Sequence, residues 1–141
     1  MSIYGYTKED GASFAPDTNI FSSSPATNTD LVAGDFAQTG TVAFSTSISY
    51  ANWSTTGYND FTLNGSGLAN IAKIGISKFC AKNKNYDVDG IAPTWSSNQG
   101  AAVNGYLADD TGTTRDPKLV VTYSVATIIP SANPVILPNL S

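Results

Sequence analysis

Apolar and polar side chains alternate along much of this chain, and a period of two predicts strands. In Thr41–Tyr50, Val42, Phe44, Ile48 and Tyr50 fall on one side, with Thr46 completing the row. Thr41, Ala43, Ser45, Ser47 and Ser49 fall on the other, so the pattern predicts a half-buried strand with a hydroxylated outer face. In Pro117–Val125, Leu119, Val121, Tyr123 and Val125 alternate with Val120, Thr122 and Ser124. Pro117 stands at the start of that strand, where a missing N–H does least harm. Tyr58–Asn64 places Phe61 and Leu63 on one face. Shorter alternations predict strands over Ser2–Tyr6, Thr18–Phe21, Ile76–Lys82 and Val103–Ala108. In Ser66–Lys73, by contrast, Leu68 and Ile71 are three apart, with Ser66 to cap the start and Gly75 to end the turn. That spacing predicts one short helical turn.

The segments between are rich in turn formers, among them Ser22-Ser23-Ser24-Pro25, Thr55-Thr56-Gly57, Asp89-Gly90, Ser96-Ser97-Asn98-Gln99-Gly100 and Asp110-Thr111-Gly112. Many short strands joined by such loops predict an all-β fold, an antiparallel jelly-roll-like β-sandwich. Composition agrees. Ser, Thr, Asn and Gly make up 56 of the 141 residues, and all four disfavour helix interiors. The length suits one domain, read as 1–125, followed by an extended tail, 126–141. The tail holds Pro130, Pro134 and Pro138 with Ile128, Ile129, Val135, Ile136, Leu137 and Leu140, and no charged side chain follows Lys118. Left in water, each such Ile or Leu forgoes roughly 1.5–3 kcal/mol of burial. The tail is therefore expected to lie in a hydrophobic groove, on its own domain or as a docking arm on a neighbour.

Charge narrows the chemistry. The formal net charge is −4, which offers no basic field for nucleic acid and none for an anionic membrane. The chain has no His, which removes His-based triads, Cys–His pairs and most zinc sites. Cys80 is the single cysteine, so it forms no internal disulfide, and its plain reading is a small, partly buried apolar side chain. Glu9 is the only Glu, and no motif singles out a catalytic pair among the Asp residues. The start shows no cationic segment followed by an apolar stretch, and no run is long enough to span a membrane. No cofactor is implied. A hydroxyl-rich surface without a visible export address suits a virion protein, or a fragment of a secreted one.

Several stretches carry a family likeness. They are Asn52-Trp53-Ser54, Tyr58-Asn59-Asp60-Phe61-Thr62-Leu63-Asn64, Gly67–Lys73, Gly75–Phe79 and Ala92-Pro93-Thr94. The series closes with Thr111-Gly112-Thr113-Thr114-Arg115-Asp116-Pro117-Lys118-Leu119-Val120-Val121-Thr122-Tyr123. The pattern resembles the C-terminal part of DNRLRE-type, carbohydrate-binding-module-like jelly-roll domains. These occur in secreted bacterial polysaccharide-binding proteins, and similar sequences appear in phage virion proteins. Domains of that family begin with strands upstream of the point where this chain starts, and Cys80 falls where Gly is expected. The resemblance implies either a smaller sandwich or one completed by strand addition from a second subunit.

The resemblance and the exclusions together lead to the expectation of a non-enzymatic structural protein of a phage virion: a capsid decoration, fibre or tail accessory module. It would assemble with other virion proteins or copies of itself. The alternative is a carbohydrate-binding module of a secreted protein, facing a cell-surface glycan; a hydrolase using an Asp pair ranks third. For a sugar ligand the candidates are Trp53, Trp95 and Tyr106, whose rings offer an apolar face to a pyranose. The simpler reading of each Trp is a plug for one end of the core. Asn85-Tyr86-Asp87-Val88-Asp89-Gly90 copies half a calcium loop, but Ser96 stands where its bidentate Glu belongs, so an ordinary Asx turn is the simpler reading. Lys73, Lys78, Lys82 and Lys84 form a basic patch for an acidic glycan or, more simply, keep a strand edge soluble.

Overall fold

A computed structural model describes residues 1–11, 13–94 and 96–125. The fold is all-β, built on two small antiparallel sheets with little helix. In the first sheet, β1 (Ser2–Asp10) runs between β4 (Tyr58–Asp60) and β6 (Ala101–Gly105). In the second, β2 (Asp17–Ser22) runs between β3 (Ile48–Ser49) and β5 (Phe79–Asn83). The register sets Tyr4 opposite Tyr58 and Gly5 opposite Gly105, with an irregularity between Gly5 and Lys8. β2 meets β5 over five residue pairs, Thr18–Asn83 through Ser22–Phe79.

One apolar cluster lies between the sheets. Ile20, Phe44, Trp53 and Phe61 are buried there, and Met1, Ile3, Ile48, Leu63, Phe79 and Val103 pack against them. The first sheet supplies Ile3 and Val103, the second Ile20, Ile48 and Phe79, so the cluster joins them. Loop 50–57 closes one side of it. Lys8 holds that loop, its Nζ donating to the carbonyls of Tyr50, Ala51 and Trp53 at 2.9, 3.2 and 3.1 Å. Gly5 admits the loop: a Cβ there would lie 1.7 Å from the Ser54 carbonyl oxygen. Asn59, on β4, ties the same loop down, accepting from Ser54 N–H at 2.8 Å and donating to Ser54 O at 2.9 Å.

Four of the strands lie where the alternation places them, with shifted ends: β1, β2, β5 and β6. Tyr58–Asn64 keeps only its first three residues as strand. Two stronger patterns are overturned as strands. Within Thr41–Tyr50 only Ile48–Ser49 is strand, and the adjacent residues Phe44 and Ser45 are both buried. Single backbone bonds and side chains hold this segment in place of a ladder: Phe44 N–H donates to Ile20 O at 2.9 Å, and Phe44 O accepts from Asn64 N–H at 2.7 Å. Asn19 Nδ2 donates to Ser45 O at 2.8 Å and Asn64 Nδ2 to Ala43 O at 2.9 Å.

Over Pro117–Val125 the only pairing among the described residues is a bridge between Lys118 and Ser2. Helix is also more plentiful than the one turn expected. Besides α1 (Gly65–Ala69) there are α2 (Lys84–Asp87) and a 3₁₀ turn, Ala33–Gln38. α1 is capped by Asn64, whose Oδ1 accepts from Ser66 and Gly67 N–H, and not by Ser66. It ends at Asn70, well before Gly75.

Candidate functional site

Two surfaces gather chemistry-bearing side chains. The first is a row of tyrosines on the outer face of the first sheet. Ile3 packs into the core, so the pleat turns Tyr4 outward, and pairing in the sheet sets Tyr58 and Tyr106 beside it. Ring centroids lie 5.0 Å apart for Tyr4–Tyr58, 5.9 Å for Tyr4–Tyr106 and 5.1 Å for Tyr6–Tyr106. Two cations lie on the row: Arg115 stands 4.0 Å over Tyr106, and Lys118 Nζ 3.8 Å over Tyr58. Arg115 is itself oriented by Asp110 at 2.7 Å. The Tyr58 hydroxyl donates to the carbonyl of Thr114 at 2.8 Å, which fastens loop 110–118 across one end. Tyr6, 57 % exposed, is the open ring of the row.

The second surface is a cleft of about 1160 Å³ lined by β5 and β6, the strands at the edges of the two sheets among the described residues. Ile3, Trp53, Phe79, Cys80, Val103 and Leu107 are among its lining residues. Trp53 is 4 % exposed, and its indole N–H meets no acceptor among the described residues. Burial pushes the Cys80 thiol up from its ordinary range, with Lys82 pulling weakly the other way. A smaller pocket of about 430 Å³ lies next to the cleft. Met1, Leu63, Leu68 and Ile71 line it together with Val120, Val121 and Thr122.

The sugar-ligand candidates separate. Trp53 is corrected: it is a core residue at the inner wall of the cleft, with no ring face on the rim. Tyr106 lies in the tyrosine row, and Trp95 is outside the described residues. Tyr4, Tyr6 and Tyr58 were missed as site residues. The Tyr4-Gly5-Tyr6 spacing marks one exposed face of a strand, but only sheet pairing brings Tyr58 and Tyr106 to it. The apolar tail residues Ile128, Ile129, Val135, Ile136, Leu137 and Leu140 are outside the described residues.

The half calcium loop has other partners for its oxygens. Asp89 binds Lys84 Nζ at 2.5 Å, and Asn85 Oδ1 accepts from Asp17 N–H at 3.1 Å. Among the described residues no three His, Cys, Asp or Glu side chains group to hold a metal. Lys82 lies on the edge strand β5, where its Nζ donates to Thr39 Oγ1 at 3.0 Å and stands 5.1 Å from the Phe21 ring. No helix among the described residues is long and apolar enough to cross a membrane.

Comparison of the chain with protein-family models, with curated proteins and with solved structures found no match to any of them.

Proposed function

We propose that this chain is a non-enzymatic structural module of a phage virion, a capsid decoration, fibre or tail accessory protein with a jelly-roll-like sandwich that other subunits complete. The observation that carries this is the balance of apolar surface. Among the described residues five hydrophobic side chains are buried, whereas fifteen large ones are exposed, including Leu31, Ile74, Val120, Tyr123 and Val125. Scattered exposed apolar residues are ordinary on any protein, but runs of them beside open strand edges mark surfaces that meet other protein. Leu119 to Val125 is such a run, and it leaves β1 after a single bridge. The family likeness of the sequence supplies the virion context.

The direct test is sedimentation of the purified full chain over a wide concentration range, followed by reconstitution with phage particles. A concentration-dependent oligomer that joins particles is the expected result. A cooperatively folding monomer at every concentration refutes the proposal.

The tyrosine row favours one second reading, a glycan-binding module. Tyr6 would stack on a pyranose, with Arg115 and Lys118 serving an acidic sugar. Glycan-array binding that is lost in Tyr6→Ala and Tyr106→Ala, with the melting temperature kept, supports this function. An array without binding removes it.

A further inference from the structure

We propose that the Asp116–Pro117 peptide bond is a self-cleavage site, with the Asp116 carboxyl as nucleophile and the Tyr58 hydroxyl on the carbonyl it attacks. Such a site goes beyond the assembly reading and stands without it.

Asp116-Pro117 is the only Asp-Pro pair in the chain. A proline nitrogen carries no hydrogen and leaves as a secondary amine, which makes an Asp–Pro link the peptide bond most open to attack by the neighbouring carboxyl. Here that carboxyl has little else to bind. Asp116 Oδ1 is buried and meets no hydrogen-bond partner among the described residues, whereas a buried polar oxygen is normally paired. The adjacent cation, Arg115, is engaged by Asp110 at 2.7 Å, and neither ion pair among the described residues includes Asp116. No competing partner therefore holds Oδ1 away from the electrophile always within its reach, the residue's own carbonyl carbon. Attack there closes a five-membered ring, an intramolecular step that needs no encounter with a second molecule.

The carbonyl is prepared as well. The Tyr58 hydroxyl lies 3.1 Å from Asp116 O and 2.8 Å from Thr114 O, and its one hydrogen is shared between them. As attack puts negative charge on Asp116 O, that oxygen becomes the stronger acceptor and draws the hydrogen bond to itself, so the contact strengthens in the transition state. Lys118 Nζ packs 3.8 Å over the Tyr58 ring. Beyond the bond, Lys118 and Ser2 exchange two backbone hydrogen bonds, at 2.8 and 2.9 Å. The Asp116–Pro117 link is thus held between Tyr58 on one side and Ser2 on the other.

The step balances within the chain. Asp116 in its acid form forms a bond from a side-chain oxygen to its own carbonyl carbon. The C–N bond to Pro117 breaks, its electron pair stays on nitrogen, and the carboxyl proton goes to that nitrogen. The products are a cyclic anhydride on residue 116 and a free amine on Pro117. Water then opens the anhydride and leaves Asp116 with two carboxyls; Pro117 is exposed, so solvent reaches the bond. Nothing is oxidised or reduced. Afterwards residues from Pro117 onward are joined to the rest by noncovalent contacts, the Lys118–Ser2 pair among them.

The purified full chain is kept warm in mildly acidic buffer, folded and in parallel in urea, and followed by intact-mass spectrometry. The expected result is two products, residues 1–116 and 117–141, whose masses sum to that of the chain plus one water. They are expected to form at least about tenfold faster from the folded chain than in urea, the reference for the slow acid cleavage of any unfolded Asp–Pro bond. Tyr58→Phe keeps the ring and loses the hydroxyl, and is expected to bring the folded rate down to the urea rate while leaving the latter unchanged. Asp116→Glu enlarges the ring that must close and is expected to stop cleavage, with the far-ultraviolet dichroism kept. Three results overturn the proposal: a folded rate short of that margin or no cleavage at this bond, a folded Tyr58→Phe chain that cleaves at the wild-type rate, or an Asp116→Glu chain that does so. Should both variants fail to fold, the wild-type comparison decides alone, because it needs no substitution.

Discussion

Asn19 is 1 % exposed in the middle of β2, and its side chain does the work of a strand partner for the segment beside it. Its Nδ2 donates to Ser45 O at 2.8 Å and to Ser47 Oγ at 2.9 Å, and its Oδ1 accepts from Ser45 Oγ at 2.6 Å and from Ile20 N–H at 2.7 Å. Asn19→Ala removes all four bonds and takes the side-chain partner from the buried Ser45 carbonyl and the Ile20 N–H. At about 1 kcal/mol net per bond, with a further penalty for each stranded polar group, the expected loss is about 3–5 kcal/mol. That is a large share of the roughly 5–15 kcal/mol that holds a domain folded. Urea unfolding followed by tryptophan fluorescence measures it, since Trp53 reports on the same core cluster as Phe44. Asn19→Asp sharpens the test: it keeps the acceptor for Ser45 but sets a carboxylate against the Ser45 carbonyl. Burial and that carbonyl raise the folded-state pKa of the new acid, so its stability falls as pH rises through the ordinary carboxylate range and recovers in acid. A loss below about 1 kcal/mol in Asn19→Ala, at unchanged m-value, would refute the claim that this side chain holds segment 45–47 in place.

Three further outcomes are expected. Gly5→Ala sets a Cβ 1.7 Å from the Ser54 carbonyl oxygen, which is backbone, so sheet and loop must part; a loss of at least about 3 kcal/mol in urea unfolding is expected, while Gly57→Ala, whose Cβ would meet Ser54 Oγ at 3.4 Å, stays within about 1 kcal/mol. Asp35 accepts from the N–H groups of Val32 and Ala26, which hold its carboxyl below the usual range; its contribution to stability is present above the unfolded-state pKa of about 3.9 and is lost as pH falls through the lower folded value, so acid melting curves of wild type and Asp35→Asn should converge there. The Cys80 thiol, raised by burial, should react with iodoacetamide only at higher pH than the same thiol in urea, and equal rates in both states would contradict its partial burial.

The periodicity of the chain was enough to place β1, β2, β5 and β6, because alternation is a property of the strand itself and survives whatever the strand packs on. It also marked the turn at Asp89-Gly90, where Gly90 takes a left-handed φ of +70°. Periodicity carried no information on whether an alternating segment finds a partner. Thr41–Tyr50 and Pro117–Val125 alternate as cleanly as any strand here. The first is held by single backbone bonds at Phe44 and by the side chains of Asn19 and Asn64, and the second makes one bridge among the described residues, Lys118 to Ser2. A strand is completed by hydrogen bonds to another stretch of backbone, and register decides which stretch that is.

The same limit governed the sites. Trp53 next to Ser54 reads as a rim aromatic or as a plug for the core, and Lys8 and Asn59 decide it by drawing the loop onto the sheet and burying the ring. Tyr4 and Tyr58 stand 54 positions apart and become neighbours only through the pairing of β1 with β4. Local pattern thus determined which segments were able to be strands and which faces they would turn outward. Only the tertiary structure decided which of them paired, which aromatic rings met, and which side chains line the cleft between the sheets, because each of these depends on contacts between residues far apart along the chain.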